Sequence, residues 1–241
     1  MKVKFFVFII SIFAVTVSFS YAKGKRYDVK SGIVEYKMSG GGNMLGFSTK
    51  IEGKRKLIFK DWGNLELEEE TTFTTVMGEK EKTHQLTKIE GDIVYGVDFE
   101  NRVIYRSKIS DYFSKEKNKD LSKVGKDMLK KMGGKKIGKD KVLGYECEVW
   151  EIMGSKMCIY KGVVLKSEGN IMGMKHKSEA VRAEFDIKID DDKFKLPDFP
   201  IKDLKEQIPG SASIKKEDKE LMEKSKEFQD FMKSFEGLMG N

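Results

Sequence analysis

The chain has 241 residues, 35% of them charged, and a formal net charge of +7 at pH 7, with lysine far more abundant than arginine. A low arginine content argues against bidentate recognition of phosphates and bases, for which the guanidinium group is best suited. The composition therefore argues against nucleic acid as a partner. A weak lysine-driven association with membrane surfaces stays open beside the simpler interpretation that the lysines solvate the surface.

Residues 1–22 have the features of a secretory signal peptide. Two lysines precede an apolar run over residues 5–17, and Ala22 is a small residue at the expected cleavage point. The apolar run is shorter than the roughly 20 residues that span a bilayer. No cysteine follows Ala22 until Cys147, so we do not expect the acylated N-terminal cysteine of a lipoprotein. The expected location of the mature protein is the periplasm.

Residues 32–109 alternate apolar and polar side chains in short runs separated by Gly, Asn and Asp. Alternation with a period of two is typical of antiparallel strands that have one solvated face, and here it predicts seven consecutive strands. The stretch SGGGN at 39–43 lacks the Lys-Ser/Thr pair and the helix of a phosphate-binding loop. We therefore interpret it as the tip of a hairpin.

An amphipathic helix is predicted over residues 111–132, because Leu121, Val124 and Met128 recur at helical spacing and Gly133-Gly134 can end it. Strands resume from residue 135 and end near the sequence DDDKFKLPDFP. The predicted fold class is mainly β (α+β): a curved antiparallel sheet or half-barrel of roughly ten strands with one internal helix. Residues 23–207 are expected to form this single domain.

Residues 208–241 are predicted to form a separate C-terminal amphipathic helix. Leu221, Phe228, Met232 and Phe235 fall on one helical face, with acids and lysines opposite. The near balance of lysines and acids does not favour a basic membrane-surface helix. The sequence leaves open whether this helix is a lid, a plug or a docking element.

The two cysteines of the chain, Cys147 and Cys158, lie on the two arms of one predicted hairpin. In an oxidising compartment such a pair is expected to form a disulfide. With a four-residue loop at 151–154, the two cysteines lie directly opposite each other, within disulfide distance. A two-residue Met153-Gly154 turn would leave the sulfurs diagonal. The disulfide prediction therefore includes a prediction of the longer loop.

Catalytic, cofactor and metal signatures are not apparent, so we predict no enzyme activity and no cofactor. The two histidines, His84 and His176, have no nucleophile elbow, zinc-protease motif or His/Cys cluster beside them. One alternative involves Met172, Met174 and His176, which alternate along one predicted strand, because thioether and imidazole ligands suit Cu(I). Core or pocket lining is the other explanation of the two methionines.

Several phrases of the sequence, IEGDIVYGVDFENRVIYR, GKDKVLGYECEVWEI, CIYKGVVLKSE and DDDKFKLPDFP, occur in this order after the signal peptide. Together they resemble the lipoprotein-carrier superfamily typified by the Lol periplasmic carriers, and in particular a periplasmic branch with the phrases GY.C..W and YKG..LK.E. The resemblance covers most of residues 30–200. It implies a half-barrel whose concave apolar face, lidded by helices, accepts acyl chains or another lipophilic ligand.

The leading hypothesis is a non-enzymatic periplasmic protein that binds a hydrophobic ligand or a lipidated partner in a half-barrel cavity. Lipid, an acyl chain or a lipidated protein are the partners that the resemblance implies. The alternatives are an envelope structural or interaction module without a small ligand, and the Cu(I)-binding protein. The sequence does not define the oligomeric state.

Overall fold

The computed structural model describes residues 25–44, 47–108, 129–130, 133–171 and 173–204. The described residues form one sheet of twelve strands. In chain order these are β1 Gly32–Met44, β2 Phe47–Lys60, β3 Leu65–Val76, β4 Glu79–Glu90, β5 Ile93–Asp98, β6 Val103–Lys108, β7 Lys135–Val142, β8 Tyr145–Ile152, β9 Ser155–Tyr160, β10 Val163–Ile171, β11 Met174–Phe185 and β12 Ile201–Asp203.

The order of strands across the sheet is β12-β6-β5-β4-β3-β2-β1-β11-β10-β9-β8-β7. All neighbours whose register is described are antiparallel, and β1 joins the two halves by pairing with both β2 and β11. The predicted fold class, a curved open antiparallel sheet of the half-barrel type, is confirmed. Among the described residues, no helix is long and apolar enough to cross a membrane.

The sheet has twelve strands where roughly ten were predicted, and one predicted strand boundary was wrong. Gly53 lies inside β2, which runs unbroken through the two segments that sequence analysis separated. A Cβ atom at Gly53 would lie 2.8 Å from the carbonyl oxygen of Thr71 and 2.8 Å from Thr72 Cγ2. This glycine therefore allows a close approach of β3 and does not mark a turn. Residues 39–43 likewise belong to β1 and not to a hairpin tip.

The predicted helix stop at Gly133-Gly134 is confirmed. The Gly133 amide donates to the Lys130 carbonyl (3.0 Å), and the Gly134 amide donates to the Leu129 carbonyl (2.7 Å). Gly133 has a φ of 80°, the left-handed conformation that such a helix end requires. The rest of the internal helix, the signal peptide and the C-terminal helix lie outside the described residues, so these three elements and the predicted domain boundaries stay predictions.

One face of the sheet, which we call face A, carries the larger hydrophobic core. Val34 of β1 and Phe59 of β2 are completely buried on this face, and so is Leu165 of β10. The segment before β1 packs on it, with the Tyr27 ring 4.3 Å from the Phe59 ring. The sequence alternation with period two places these residues on one side of three neighbouring strands.

The opposite face, face B, has a second and smaller core. Ile58 of β2, Leu67 of β3 and Leu86 of β4 lie on it and pack against Phe194. Phe194 belongs to a short 3-10 turn at Asp191–Phe194, so the segment predicted as the end of the domain covers this side of the sheet. Both faces of β2 and β3 are therefore buried over part of their length.

The predicted disulfide is confirmed, whereas the predicted hairpin loop is wrong. Cys147 and Cys158 are bonded, with their Cα atoms 5.3 Å apart. Val149 and not Cys147 lies opposite Cys158, because Met153 and Gly154 form a two-residue turn. The strand twist moves one diagonal pair of residues closer together, so a diagonal pair still meets the disulfide distance.

Loss of the disulfide through a Cys147→Ser, Cys158→Ser double substitution is expected to lower the free energy of unfolding by about 3 kcal/mol. The bond closes a short loop with a sequence separation of 11 residues, and the chain-entropy relation gives this magnitude. Urea unfolding of the oxidised protein, the reduced protein and the double variant tests it. Equal midpoints for all three would show that the bond does not constrain the unfolded chain.

Candidate ligand-binding face

Three glutamates of β3 lie in a row on face A. Glu66, Glu68 and Glu70 occupy alternate positions, so they point to the same side of the sheet. Glu66 lies opposite Phe59 of β2, and Glu70 lies opposite Arg55. The same strand turns Leu67 toward face B, where it is buried. Charged side chains of β3 therefore border the hydrophobic core of face A.

The first carboxylate, Glu66, is almost completely buried and has two partners. Its Oε2 atom accepts a hydrogen bond from the Tyr27 hydroxyl (2.8 Å) and lies 3.5 Å from Nη1 of Arg26. Burial and the neighbouring Glu66 charge raise the pKa of Tyr27 well above its ordinary value, so the phenol stays a donor. Nη2 of Arg26 has no hydrogen-bond partner among the described residues.

Arg55 is the second buried cation, with 6% of its surface exposed. Its guanidinium carbon lies 4.1 Å from the centre of the Tyr36 ring, and Nη1 lies 3.8 Å from the Glu68 carboxylate. The Tyr36 hydroxyl donates to the carbonyl of Val164 (3.0 Å), which fixes the ring below the guanidinium. Within the described part of the chain, Nε of Arg55 has no partner.

We call Arg26, Arg55, Glu66, Glu68 and Glu70 the glutamate–arginine cluster. It contains more carboxylates than guanidinium groups, and burial raises the pKa of Glu68 from 4.5 to about 7, with Glu66 and Glu70 adding to the effect and Arg55 opposing it. Burial also raises the pKa of Glu70, again against Arg55. The cluster therefore exchanges a proton near neutral pH.

The raised pKa of Glu68 makes stability depend on pH. The pKa of Glu68 is about 7 in the folded protein, above its ordinary value of 4.5. Between pH 4.5 and 7 the folded protein therefore binds a proton at Glu68 that the unfolded chain has released. The contribution of Glu68 is fully present below pH 4.5, and about 3 kcal/mol is lost as the pH rises through 7. Glu68→Gln should abolish this component of the pH profile.

Unfolding of the wild type and of Glu68→Gln across this pH range tests the prediction. The matched control is Glu69→Gln, since Glu69 is the next residue of β3 but is exposed and lies beside His84. If Glu69→Gln reduces the pH dependence of the free energy of unfolding as much as Glu68→Gln does, the assignment of this dependence to Glu68 on face A is contradicted.

Beyond the cluster, face A carries small side chains. Gly53 and Ser178 lie on either side of Met38 in one cross-strand row. Gly40 and Gly169 lie on either side of His176 in the next. A Cβ atom at Gly169 would lie 2.7 Å from Cε1 of His176 and would also contact the Ser155 hydroxyl. Because these glycines have no side chains, face A is recessed here. The Ser178 hydroxyl is buried in this region and has no hydrogen-bond partner among the described residues.

An open groove of about 380 Å³ runs along the second of these rows. Its lining includes Gly40, Gly169 and His176 of this row. The other five lining residues occupy the alternate positions that project from face B: Ser39, Glu168, Asn170, Lys175 and Lys177. Burial lowers the pKa of His176, which keeps the imidazole neutral at physiological pH. The groove is therefore bordered by lysine and glutamate side chains of face B and is not part of the apolar surface of face A.

The structure brings together two of the three predicted Cu(I) ligands. Met174 and His176 are two residues apart in β11 and share a face, whereas Met172 lies outside the described residues. Within the described ranges, no group of three or more His, Cys, Asp or Glu side chains could hold a metal ion. The Cu(I) set stays a prediction. The other histidine, His84, lies elsewhere and stacks on Phe99 at 4.1 Å.

Sequence analysis did not identify the glutamate–arginine cluster. The run LELEEE from Leu65 to Glu70 has the alternation of a strand with one wet face, which predicts solvated glutamates. The structure buries both sides of this strand, because Arg26 and Tyr27 of a distant segment fold over Glu66. The only local signal was the density of acids in a strand, a position that acids usually avoid.

Neither a protein-family model nor a curated protein matches the chain. Solved structures with similarity to the chain include an uncharacterized conserved protein from Thermus thermophilus, with 7% sequence identity and a TM-score of 0.38 over 70% of this chain and 90% of that chain. MucB has 10% identity and a TM-score of 0.36 over 74% of this chain and 60% of its own. A candidate outer membrane lipoprotein-sorting protein domain from Vibrio parahaemolyticus has 11% identity and a TM-score of 0.28 over 77% of this chain and 95% of its own.

Proposed function

We propose that the protein is a non-enzymatic periplasmic binding protein that holds a hydrophobic ligand, or the acyl chain of a lipidated partner, against face A. One observation carries this proposal. Face A places buried polar atoms without described partners, Nε of Arg55 and Oγ of Ser178, between an aromatic core and rows of glycine. Such atoms are costly unless a hydrogen bond satisfies them, and the polar end of an amphiphilic ligand would supply one.

Two further properties support this function. Partly buried aromatic side chains, Tyr145, Tyr160 and Phe185, border the core of face A, so an acyl chain that covers them would gain about 25 cal/mol for each Å² of apolar surface that it buries. The Cys147–Cys158 disulfide suits an oxidising, extracytoplasmic compartment, which agrees with the predicted signal peptide.

Native mass spectrometry of protein purified from its own periplasm, with an organic extract of the same sample analysed for lipids, tests the proposal. The expected result is a stoichiometric adduct that extracts as a lipid. Ser178→Phe should remove the adduct, because the ring would fill face A beside Met38. The control Lys177→Phe places the same ring on the exposed opposite face and should keep the adduct.

A bare protein mass and a lipid-free extract would contradict ligand binding. Retention of the adduct in Ser178→Phe, with the variant folded, would contradict its location on face A.

The second candidate, an envelope interaction module without a small ligand, is favoured by the edge strand β7. Of its eight residues, all but Val142 are exposed, so its outer backbone groups are open to a strand from another protein. Its lysines and the register shift near Gly138 oppose such pairing. A pull-down that depends on β7 and persists in lipid-free protein would favour this candidate.

A further inference from the structure

Two hairpin turns at one end of the sheet expose large apolar side chains. Met77, in the turn between β3 and β4, has 74% of its surface exposed, and the adjacent Val76 has 38%. Met153, in the turn between β8 and β9, has 46% exposed. We call Val76, Met77 and Met153 the methionine rim.

The strand register places both turns at the same end of the sheet. Val76 lies opposite Thr49 near the start of β2, and Gly42 at the far end of β1 lies opposite Met174 of β11. Ser155, which follows the second turn, lies opposite Gly169 near the end of β10.

Turn stability does not explain the methionines. Met77 has a φ of 53° and Met153 a φ of 48°, the left-handed conformation that two-residue hairpin turns require. Asn, Asp and Gly adopt this conformation at lower cost than a long apolar side chain. Exposure and backbone preference both disfavour methionine at these two positions. A contact with a partner outside the described structure would explain why methionine occurs there.

Lysines accompany the apolar turns. Lys80 and Lys156 follow the two turns closely, and Lys50 and Lys175 lie on the neighbouring strand ends. All four are exposed, and Lys50, Lys80 and Lys175 project from face B. Lys80, Lys156 and Lys175 form no ion pair with any other described residue. The Lys80 ammonium lies 4.4 Å from the Phe73 ring centre, so its stem covers apolar surface while its charge faces water.

Acidic residues also lie near both turns: Glu79 lies opposite Val76, and Glu168 lies opposite Lys156. Glu79 and Glu81 alternate with the lysines of β4 and therefore project from face A. Glu52 on face B pairs with Lys50 at 3.0 Å. Glu151 lies opposite Lys156. Apolar tips flanked by cations on one face are the arrangement that binds an anionic bilayer surface, with side chains inserted at the headgroup boundary and ammonium groups near phosphates.

The geometry points to the methionine rim as a docking surface for an anionic lipid bilayer, with Lys50, Lys80, Lys156 and Lys175 next to the headgroups. This inference does not depend on a ligand on face A, because the rim and the lysines lie on other parts of the sheet. The contact is weak and reversible, since few apolar side chains insert and the lysine contribution falls with salt.

Flotation of the mature protein, without residues 1–22, with vesicles of phosphatidylcholine, with and without phosphatidylglycerol, tests the inference. We expect binding to the anionic vesicles at low salt and a strong decrease at high salt. The double variant Met77→Asn, Met153→Asn should reduce partitioning about tenfold, because two inserted side chains are lost. Asparagine suits the left-handed turn, so the variant should fold.

The matched control is Leu143→Asn. Leu143 is also exposed (48%) and in a left-handed turn conformation (φ 50°), but it lies at the opposite end of the sheet. It should leave partitioning unchanged. Wild-type flotation with neither vesicle, or equal flotation of the wild type and the double variant, would overturn the inference. The inference would also be overturned if the wild type self-associates without vesicles and the double variant does not. The rim would then be an interface between copies of this chain.

Discussion

Replacement of Arg55 by methionine is expected to lower the free energy of unfolding by about 3–5 kcal/mol near pH 8, the range typical of a buried ion pair that loses one partner. The Arg55 side chain is 6% exposed, and its guanidinium lies above Tyr36 and beside Glu68. Methionine keeps an unbranched apolar stem over the ring but removes the cation. Glu68 and Glu70, which are partly buried, would then lack their common counter-ion.

The loss should depend on pH with a defined sign. Arg55 lowers the pKa values of both Glu68 and Glu70, so its removal raises them further. Both carboxyls are neutral in the folded and the unfolded protein below their ordinary pKa of 4.5, and the electrostatic part of the destabilisation disappears there. Wild type and variant should therefore differ most above pH 7 and least under acid conditions.

Urea unfolding at several pH values measures this difference. The control Arg182→Met removes an exposed arginine whose Nη2 lies 2.6 Å from Glu184, and no measurable change is expected. A pH-independent loss in Arg55→Met would show that packing on Tyr36, and not the charge of the cluster, accounts for the effect.

Local sequence patterns predicted much of this fold because strands and turns depend on nearby residues. The period of two identified the strands, and Gly133 ended the helix through its own left-handed conformation. The disulfide prediction needed only that both cysteines lie on one hairpin. Its register was predicted wrongly, because the diagonal distance depends on strand twist, which the residue pattern does not specify.

The glutamate–arginine cluster could not be predicted, because it depends on contacts between distant segments. Tyr27 and Glu66 are 39 positions apart, and Tyr36 and Val164 are 128 positions apart. Alternation says which residues share a face but not which face another segment covers. The same limit applies to Gly53, where the neighbouring strand and not the local sequence requires a glycine.

Phe59→Ala is expected to lower the free energy of unfolding by about 3–5 kcal/mol, the usual range for truncation of a fully buried phenylalanine. Phe59 has no exposed surface, and its ring contacts Tyr27 and lies 6.4 Å from the ring of Phe185. The ring also covers Gly32, where a Cβ atom would lie 2.8 Å from it. No neighbouring side chain on β1 can therefore fill the space that alanine leaves.

Urea or thermal unfolding measures the loss, and two companion variants define its cause. Phe59→Leu restores most of the volume and should recover at least half of the stability. Phe73→Ala, on face B and only partly buried, should cost much less. Equal losses at Phe59 and Phe73 would contradict the central place of Phe59 in the core.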